Sequence, residues 1–332
     1  MKWILIACLF YCPVYSTQTV NPQTVMTVKG LIAAHDMNVT LIHEHILVDF
    51  IGADQTHPDR WDKARVVAKV LPYLRQLKQL GCHTLVECTP AYLGRDPQLL
   101  KTLSDSSGLH ILTNTGYYGA RNNQFLPAHA LTETADQLAQ RWIKEWGEGI
   151  EGTGIKPGFI KMSVDEGALS ATHQKLVRAA ARTHLKTGMT IASHTGKAPA
   201  AFEQLKLLLQ EGVSPEAFIW VHAQAEKDSG QHVKAARKGA WISLDGLNED
   251  NLSTYLKMVL HLRNHGLLGK VLLSHDAGWY DPDKPDAPFR GYNLLFEQFI
   301  PLLRRHQFSD QEIRQLTILN PAQAFQQSIR KV

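Results

Sequence analysis

The chain has 332 residues, 44% of them hydrophobic and 20% charged, with no long polar tract; that is enough apolar material for a large core and excludes a disordered chain. Its formal net charge of +4 is spread without a basic block, so nothing in it points to nucleic acid as a partner. The sixteen histidines are more informative, because imidazole is both a metal ligand and a proton carrier.

The first residues, "MKWILIACLFYCPVYSTQTV", give one Lys, an apolar run and a small-residue site around Val14–Ser16. This is the pattern of an export signal over residues 1–16, followed by a single large domain over 17–332, and it implies a periplasmic or secreted location. A membrane span is disfavoured, since Pro13 interrupts the run and about 20 apolar residues are normally needed. Once the signal is removed, Cys82 and Cys88 are the only cysteines left. They sit at the two ends of one predicted strand, roughly 20 Å apart when extended, too far for a disulfide. Two buried free thiols are expected.

The next segment, "TVMTVKGLIAAHDMN", predicts a short hairpin capping the domain. Eight apolar runs then follow: 39–46, 83–89, 110–116, 158–164, 190–196, 218–224, 240–246 and 271–277. Between them lie stretches of helical periodicity, such as "WDKARVVAKVLPYLRQLKQLG" and "THQKLVRAAARTHLKTG", and glycines 81, 188, 212, 239 and 269 stand where C-caps are expected. Strict strand–helix alternation calls for a parallel sheet, and eight units match an α/β fold of the (β/α)8 TIM-barrel type with a short N-terminal β-hairpin cap. A doubly wound open sheet is the runner-up, but no glycine-rich phosphate fingerprint follows the first strand. The Pro- and Asp-rich loop after strand eight, "GWYDPDKPDAPFRGYN", is predicted to cover the barrel mouth.

In such a barrel the site lies at the C-terminal ends of the strands. The stretch "VTLIHEHILVDF" places His43 and His45 on one face of strand one, where buried imidazoles need either a metal or ordinary hydrogen bonds. Lys161 lies in strand four among Phe159, Ile160, Met162 and Val164, an expensive place for an ammonium unless its head reaches out to water. His194 ends strand five, His222 strand six and Asp276 strand eight, so six polar side chains share one end. The other histidines are read as surface or structural, with His275 turned to the opposite face from Asp276.

This set, with "TLIHEHI", "GIEGTGIKPGFIK", "AAARTHLKTGMTIASHTG", "VHAQAEKD", "LLSHD" and "QLTILNPAQAF", resembles the amidohydrolase superfamily and, in its details, the phosphotriesterase family. The resemblance spans the whole mature chain. It implies two divalent metal ions, zinc by default with manganese, cobalt or iron also suited to N and O ligands. His43, His45 and Asp276 would hold one, His194 and His222 the other, with Lys161, carboxylated on its amine, and a hydroxide between them. Asp276 would take the proton of the attacking water.

The resemblance also bears on substrate. Family phosphotriesterases relay a proton through a His after the strand-seven "LD" and an Asp after the strand-six His; those positions here are Gly246 and Ala225. Family lactonases carry a Tyr after the strand-three "TG", which Tyr118 matches, and an Arg after the "LD", where Gly246 again stands. The leading expectation is therefore an exported metal-dependent hydrolase of a lactone or carboxylic ester, a small-molecule substrate. Phosphotriester hydrolysis and amide or cyclic-imide hydrolysis are alternatives, and a non-catalytic metal- or ligand-binding barrel is the reading from another class. Trp279 is expected as a pocket wall, while Arg290 either meets a substrate carboxylate or pairs with Asp281 or Asp283. A homodimer is suggested by the resemblance alone.

Overall fold

The computed structural model describes residues 23–332; the predicted export signal lies outside the described residues. A short antiparallel hairpin, β1 (Thr24–Thr27) and β2 (Gly30–Ala33), comes first. The barrel strands follow: β3 (Thr40–Glu44), β4 (Thr84–Glu87), β5 (His110–Leu112) continued as β6 (Asn114–Thr115), β7 (Phe159–Ser163), β8 (Ile191–His194), β9 (Phe218–Val221), β10 (Trp241–Leu244) and β11 (Val271–Leu273). The larger helices around them are α1 (Lys63–Gln79), α2 (Pro97–Ser107), α4 (Ala135–Glu148) after the short α3 (Ala128–Thr132), α5 (Ala171–Thr187), α6 (Ala198–Gln210), α7 (Ser229–Arg237) and α8 (Leu252–Asn264).

Neighbouring barrel strands pair in parallel, β3 with β4, β4 with β5, and β6 onward in order to β11. The third strand is one strand interrupted at Thr113. The ring closes between its last and first members, where Asp276 N–H donates to the His43 carbonyl (3.1 Å) and His45 N–H to the Ala277 carbonyl (2.9 Å). Closure leaves no sheet edge exposed. The fold is a (β/α)8 TIM barrel.

Each barrel strand is shorter than the apolar run that predicts it, by one to four residues at an end, because the chain leaves extended geometry as it approaches the polar positions. His222 (φ 59°), directly after β9, and Asp276 (φ 52°), three residues after the end of β11, both adopt left-handed backbone. The hydrophobic pattern marks burial, which continues past the last ladder hydrogen bond. Gly188, at φ 72°, caps α5 as expected. Gly269 does not cap α8: the helix ends at Asn264, and Gly266 (φ 71°) is the residue that turns the chain.

Two apolar layers hold the barrel. Inside it, Ile42, Val86, Leu112, Phe159, Ile219, Trp241 and Leu272 pack with Val25 and Met37, so the hairpin plugs the N-terminal end as predicted. Outside, the strands' other faces pack against the helices, as with Leu74 of α1, Leu103 of α2 and Val259 of α8. Cys82 and Cys88 are buried free thiols. Among the described residues no helix is long and apolar enough to cross a membrane.

Candidate metal centre

Asp245, just past β10, organises the site. It is fully buried, and its Oδ2 accepts from His43 Nδ1 (3.1 Å) and its Oδ1 from His222 Nδ1 (2.7 Å). A carboxylate only accepts, so both imidazoles donate through Nδ1 and keep the lone pair on Nε2. His45 reaches the same tautomer by another route. Its Nδ1 lies 2.7 Å from Thr89 Oγ1, whose own proton is donated to the Leu47 carbonyl (3.0 Å). Nδ1 of His45 must therefore donate, and its Nε2 is also a free acceptor.

These three Nε2 atoms turn towards Asp276. Its Oδ1 lies 3.0 Å from His45 Nε2 and 3.6 Å from His43 Nε2, and its Oδ2 lies 3.8 Å from His222 Nε2. Lys161 Nζ is 3.3 Å from His43 Nε2. His194 completes the ring, edge-on to His222 with ring centroids 4.3 Å apart. The hydroxyl of Tyr118 is 3.3 Å from His194 Nδ1.

The strand end carrying Asp276 is fixed from behind by Glu44, the residue between the two histidines. Facing the opposite way, its Oε1 accepts from Ser274 Oγ (2.7 Å), His275 N–H (2.9 Å) and His275 Nδ1 (2.7 Å), while Oε2 accepts from Ala277 N–H (2.8 Å). His275 thus lies on the far side of the strand, as alternation predicts. Gly278 is required here by contact: a Cβ would stand 1.8 Å from the His45 carbonyl oxygen, at φ +98°.

The electrostatics favour cations. Burial, reinforced by the Lys161 ammonium, lowers His43 to about 4, and burial with His222 and Lys161 beside it holds His194 well below the usual histidine range. Both imidazoles are neutral at physiological pH. Burial works against protonated His222 as well, but the carboxylates of Asp245 and Asp276 outweigh it and raise this imidazole. Burial would raise Asp276, yet His43, His45 and His222 hold it far below the usual carboxylate range, so it is ionised. Burial pushes the Tyr118 hydroxyl up, which keeps its proton on.

The residues fit a metal centre on their own geometry. Asp276 Oδ1 is buried without a hydrogen bond, and Lys161, 1% exposed, has no carboxylate partner among the described residues. Three aligned lone pairs, an orphaned carboxylate oxygen and an uncompensated buried amine are what divalent cations would resolve. Among the described residues, two His/Asp groups have atoms close enough to hold an ion: His43, His45 and Asp276, and His43, His222 and Asp245. Asp245 spends its oxygens on the Nδ1 atoms of His43 and His222, whereas Asp276 lies against the Nε2 atoms.

The cavity above them is about 290 Å3 and is lined also by Val48, Phe50, Cys88, Leu93, Tyr118, Arg121 and Trp279. Trp279 stands in it at 42% exposure, edge-on to His45 with centroids 5.7 Å apart. Arg290 does not reach the cavity: it is exposed, and its guanidinium donates to the Leu247 carbonyl instead of Asp281 or Asp283. Nor does the loop after strand eight cover the mouth. It lies along α1, held by Arg60–Asp283 and Arg65–Asp286 ion pairs (both 2.7 Å) and by Lys69 on the Pro285 carbonyl, and leaves only Trp279 at the pocket.

Sequence reasoning missed Asp245, Glu44 and Thr89. Asp245 had a signal, a charged residue at the C-terminal end of a barrel strand, in the same place as the ligands. Glu44 and Thr89 had none, since their role depends on which strand they meet.

A TIM barrel with imidazoles, a carboxylate and a buried lysine converging at its C-terminal mouth defines the class of metal-binding hydrolases. Residues 23–325 match the model of the phosphotriesterase family, and the chain belongs to that family. It is 31% identical over 291 residues to the "Phosphotriesterase homology protein" of Escherichia coli K12, covering 86% of this chain and 97% of that protein. It is 29% identical to the "Aryldialkylphosphatase" of Saccharolobus solfataricus, covering 90% and 98%, and 25% identical to the "Phospho-furanose lactonase" of Mycoplasmopsis synoviae, covering 89% of each.

Proposed function

We propose that this protein is a binuclear metal-dependent hydrolase that opens a lactone or cleaves a carboxylic ester. His43, His45 and Asp276 would hold one divalent ion and His194 and His222 the other, with Lys161, carboxylated on Nζ, as a further ligand. Zinc suits this N and O donor set, and manganese, cobalt or iron suits it too. When bound, such a pair supplies a water nucleophile at neutral pH and a Lewis acid for the ester oxygen. The observation that carries the reading is the convergence of three Nε2 lone pairs on the Asp276 carboxylate, whose Oδ1 is buried without a hydrogen bond.

The chain's own groups supply the rest. Asp276, kept ionised, accepts the proton of the attacking water and passes it to the leaving oxygen. Tyr118, kept protonated, donates a hydrogen bond to the substrate's carbonyl or leaving oxygen. Val48 and Leu93, both buried, give the cavity an apolar wall that excludes bulk water. A proton relay outward from Asp276 through strand seven is not available, since Gly246 has no side chain and its N–H is donated to Tyr255 Oη (2.8 Å). A lactone needs no such relay, because its leaving alkoxide stays tethered beside Asp276. The relative named aryldialkylphosphatase supports phosphotriesters as a second substrate class for the same groups. Export rests on residues 1–16.

The test is hydrolysis by the chain from residue 17 onward, against lactones, aryl esters, a paraoxon-like triester and a cyclic imide, with and without a chelator. Chelator-sensitive turnover of lactones or aryl esters above that of the triester is expected. Turnover of the triester or the imide alone would overturn the substrate assignment.

A further inference from the structure

The loop between β6 and α3 carries three consecutive residues in left-handed backbone: Arg121 (φ 58°), Asn122 (φ 55°) and Asn123 (φ 63°). Asparagine tolerates this region; arginine adopts it only under strain. The surrounding structure imposes it. Asp165, at the end of strand four, accepts from Arg121 N–H (2.6 Å), Ala120 N–H donates to Ser163 Oγ (2.8 Å), and Asn123 N–H donates to the Gly119 carbonyl (3.2 Å).

The result is a guanidinium held at the rim of the candidate active-site cavity. It lies 5.2 Å over the ring of Phe50, which in turn packs on Trp279 (5.6 Å) and Phe125 (6.0 Å). Among the described residues it makes no side-chain hydrogen bond and no ion pair. The acidic groups sharing this rim are already engaged: Asp165 caps the loop's own N–H groups, and Glu166 pairs with Lys197 at 2.8 Å. Cation–π stacking uses the face of the guanidinium and leaves its edge, with the donors of the fork, free.

The geometry points to Arg121 as a specificity-determining residue: the substrate carries an anionic group, a carboxylate or phosphate, distal to the bond that is cleaved, and Arg121 receives it while the scissile group sits at the histidine cluster. This rests on the reading of the cavity as the hydrolase site. A neutral substrate would gain nothing from a cation fixed at this point, whereas a planar fork matches carboxylate or phosphate oxygens in pairs. A phospho-sugar or an acyl group with a terminal carboxylate has the required form.

The experiment is a binding titration of the metal-reconstituted protein, followed by calorimetry and by Trp279 fluorescence. The probes are the dicarboxylates from succinate to pimelate, their ω-phosphono counterparts, and the monocarboxylates of the same chain lengths. In the wild type at least one probe with a distal anion should bind about tenfold more tightly than its monocarboxylate, and the preference should shrink with added salt. Arg121→Gln should bring the ratio close to one, and Arg121→Lys should restore part of it. Which arm shows the larger ratio tells carboxylate from phosphate. A wild-type ratio near one throughout both series, or a ratio that survives in Arg121→Gln, overturns the proposal. Because the readout is binding, a failure of every ester to turn over would sink the proposed function while this ratio still decides the role of Arg121.

Discussion

Asp245 acts through two imidazoles at once, and that makes it the most sensitive uncharged-substitution target in the site. Asparagine offers one acceptor oxygen where His43 and His222 each need one. Asp245→Asn should therefore weaken metal binding about 10–100-fold with the fold intact, as read by competition with a chromophoric chelator. Unchanged affinity would show that the second layer does not set the ligand tautomers. At Gly278 the constraint is steric: Gly278→Ala puts a methyl into the His45 carbonyl and should cost on the order of 3 kcal/mol in urea unfolding, with metal binding lost alongside. At this scale the first layer was legible because HxH, a lysine inside an apolar run and residues at strand ends are patterns along the chain. Its supports were not, because Thr89 on His45 and Glu44 on His275 are contacts between strands that are distant in sequence.

Among the secondary-structure elements, the outer helices are joined by ion pairs that give a pH prediction away from the metal. Glu211, after α6, accepts from Arg178 Nη1 (2.7 Å) and Arg182 Nε (3.0 Å) of α5. Partial burial works to raise its pKa, but the two guanidinium groups outweigh it and lower it. A carboxyl whose folded pKa is depressed contributes stability above its unfolded pKa and loses it as pH falls through the folded one. Glu211→Gln should therefore cost about 1 kcal/mol at neutral pH, and the difference from wild type should vanish on the acid side of the ordinary carboxylate range. Urea midpoints across pH check this; a constant difference would assign the loss to packing. Helices α5 to α8 were all legible from their 3.6-residue pattern, and the pattern held through Pro72 inside α1. What the pattern missed were ends set by local geometry: β9, which stops where His222 turns left-handed, β11, which stops at Leu273 ahead of left-handed Asp276, and Gly266 in place of Gly269 after α8. The strand-eight loop was misread for a related reason, since its composition signals a loop but its path depends on Arg60, Arg65 and Lys69 of the facing segment.

For the whole molecule, eight alternating strand–helix units in the sequence imply a barrel, and barrel geometry puts the active end at the C-terminal ends of the strands. Ring closure and the hairpin plug followed from the same logic of burying every sheet edge and the core's lower end. The central claim is that this barrel assembles a two-ion centre around Lys161. The measurement that tests it most directly is the metal content of the chain from residue 17 onward, reconstituted with zinc in bicarbonate buffer, set beside that of Lys161→Ala. The account predicts about two ions per chain in the wild type, and a loss of at least one ion, together with chelator-sensitive hydrolysis, in the variant. Wild-type protein that binds no metal, or a Lys161→Ala variant that keeps both ions and full activity, would contradict it.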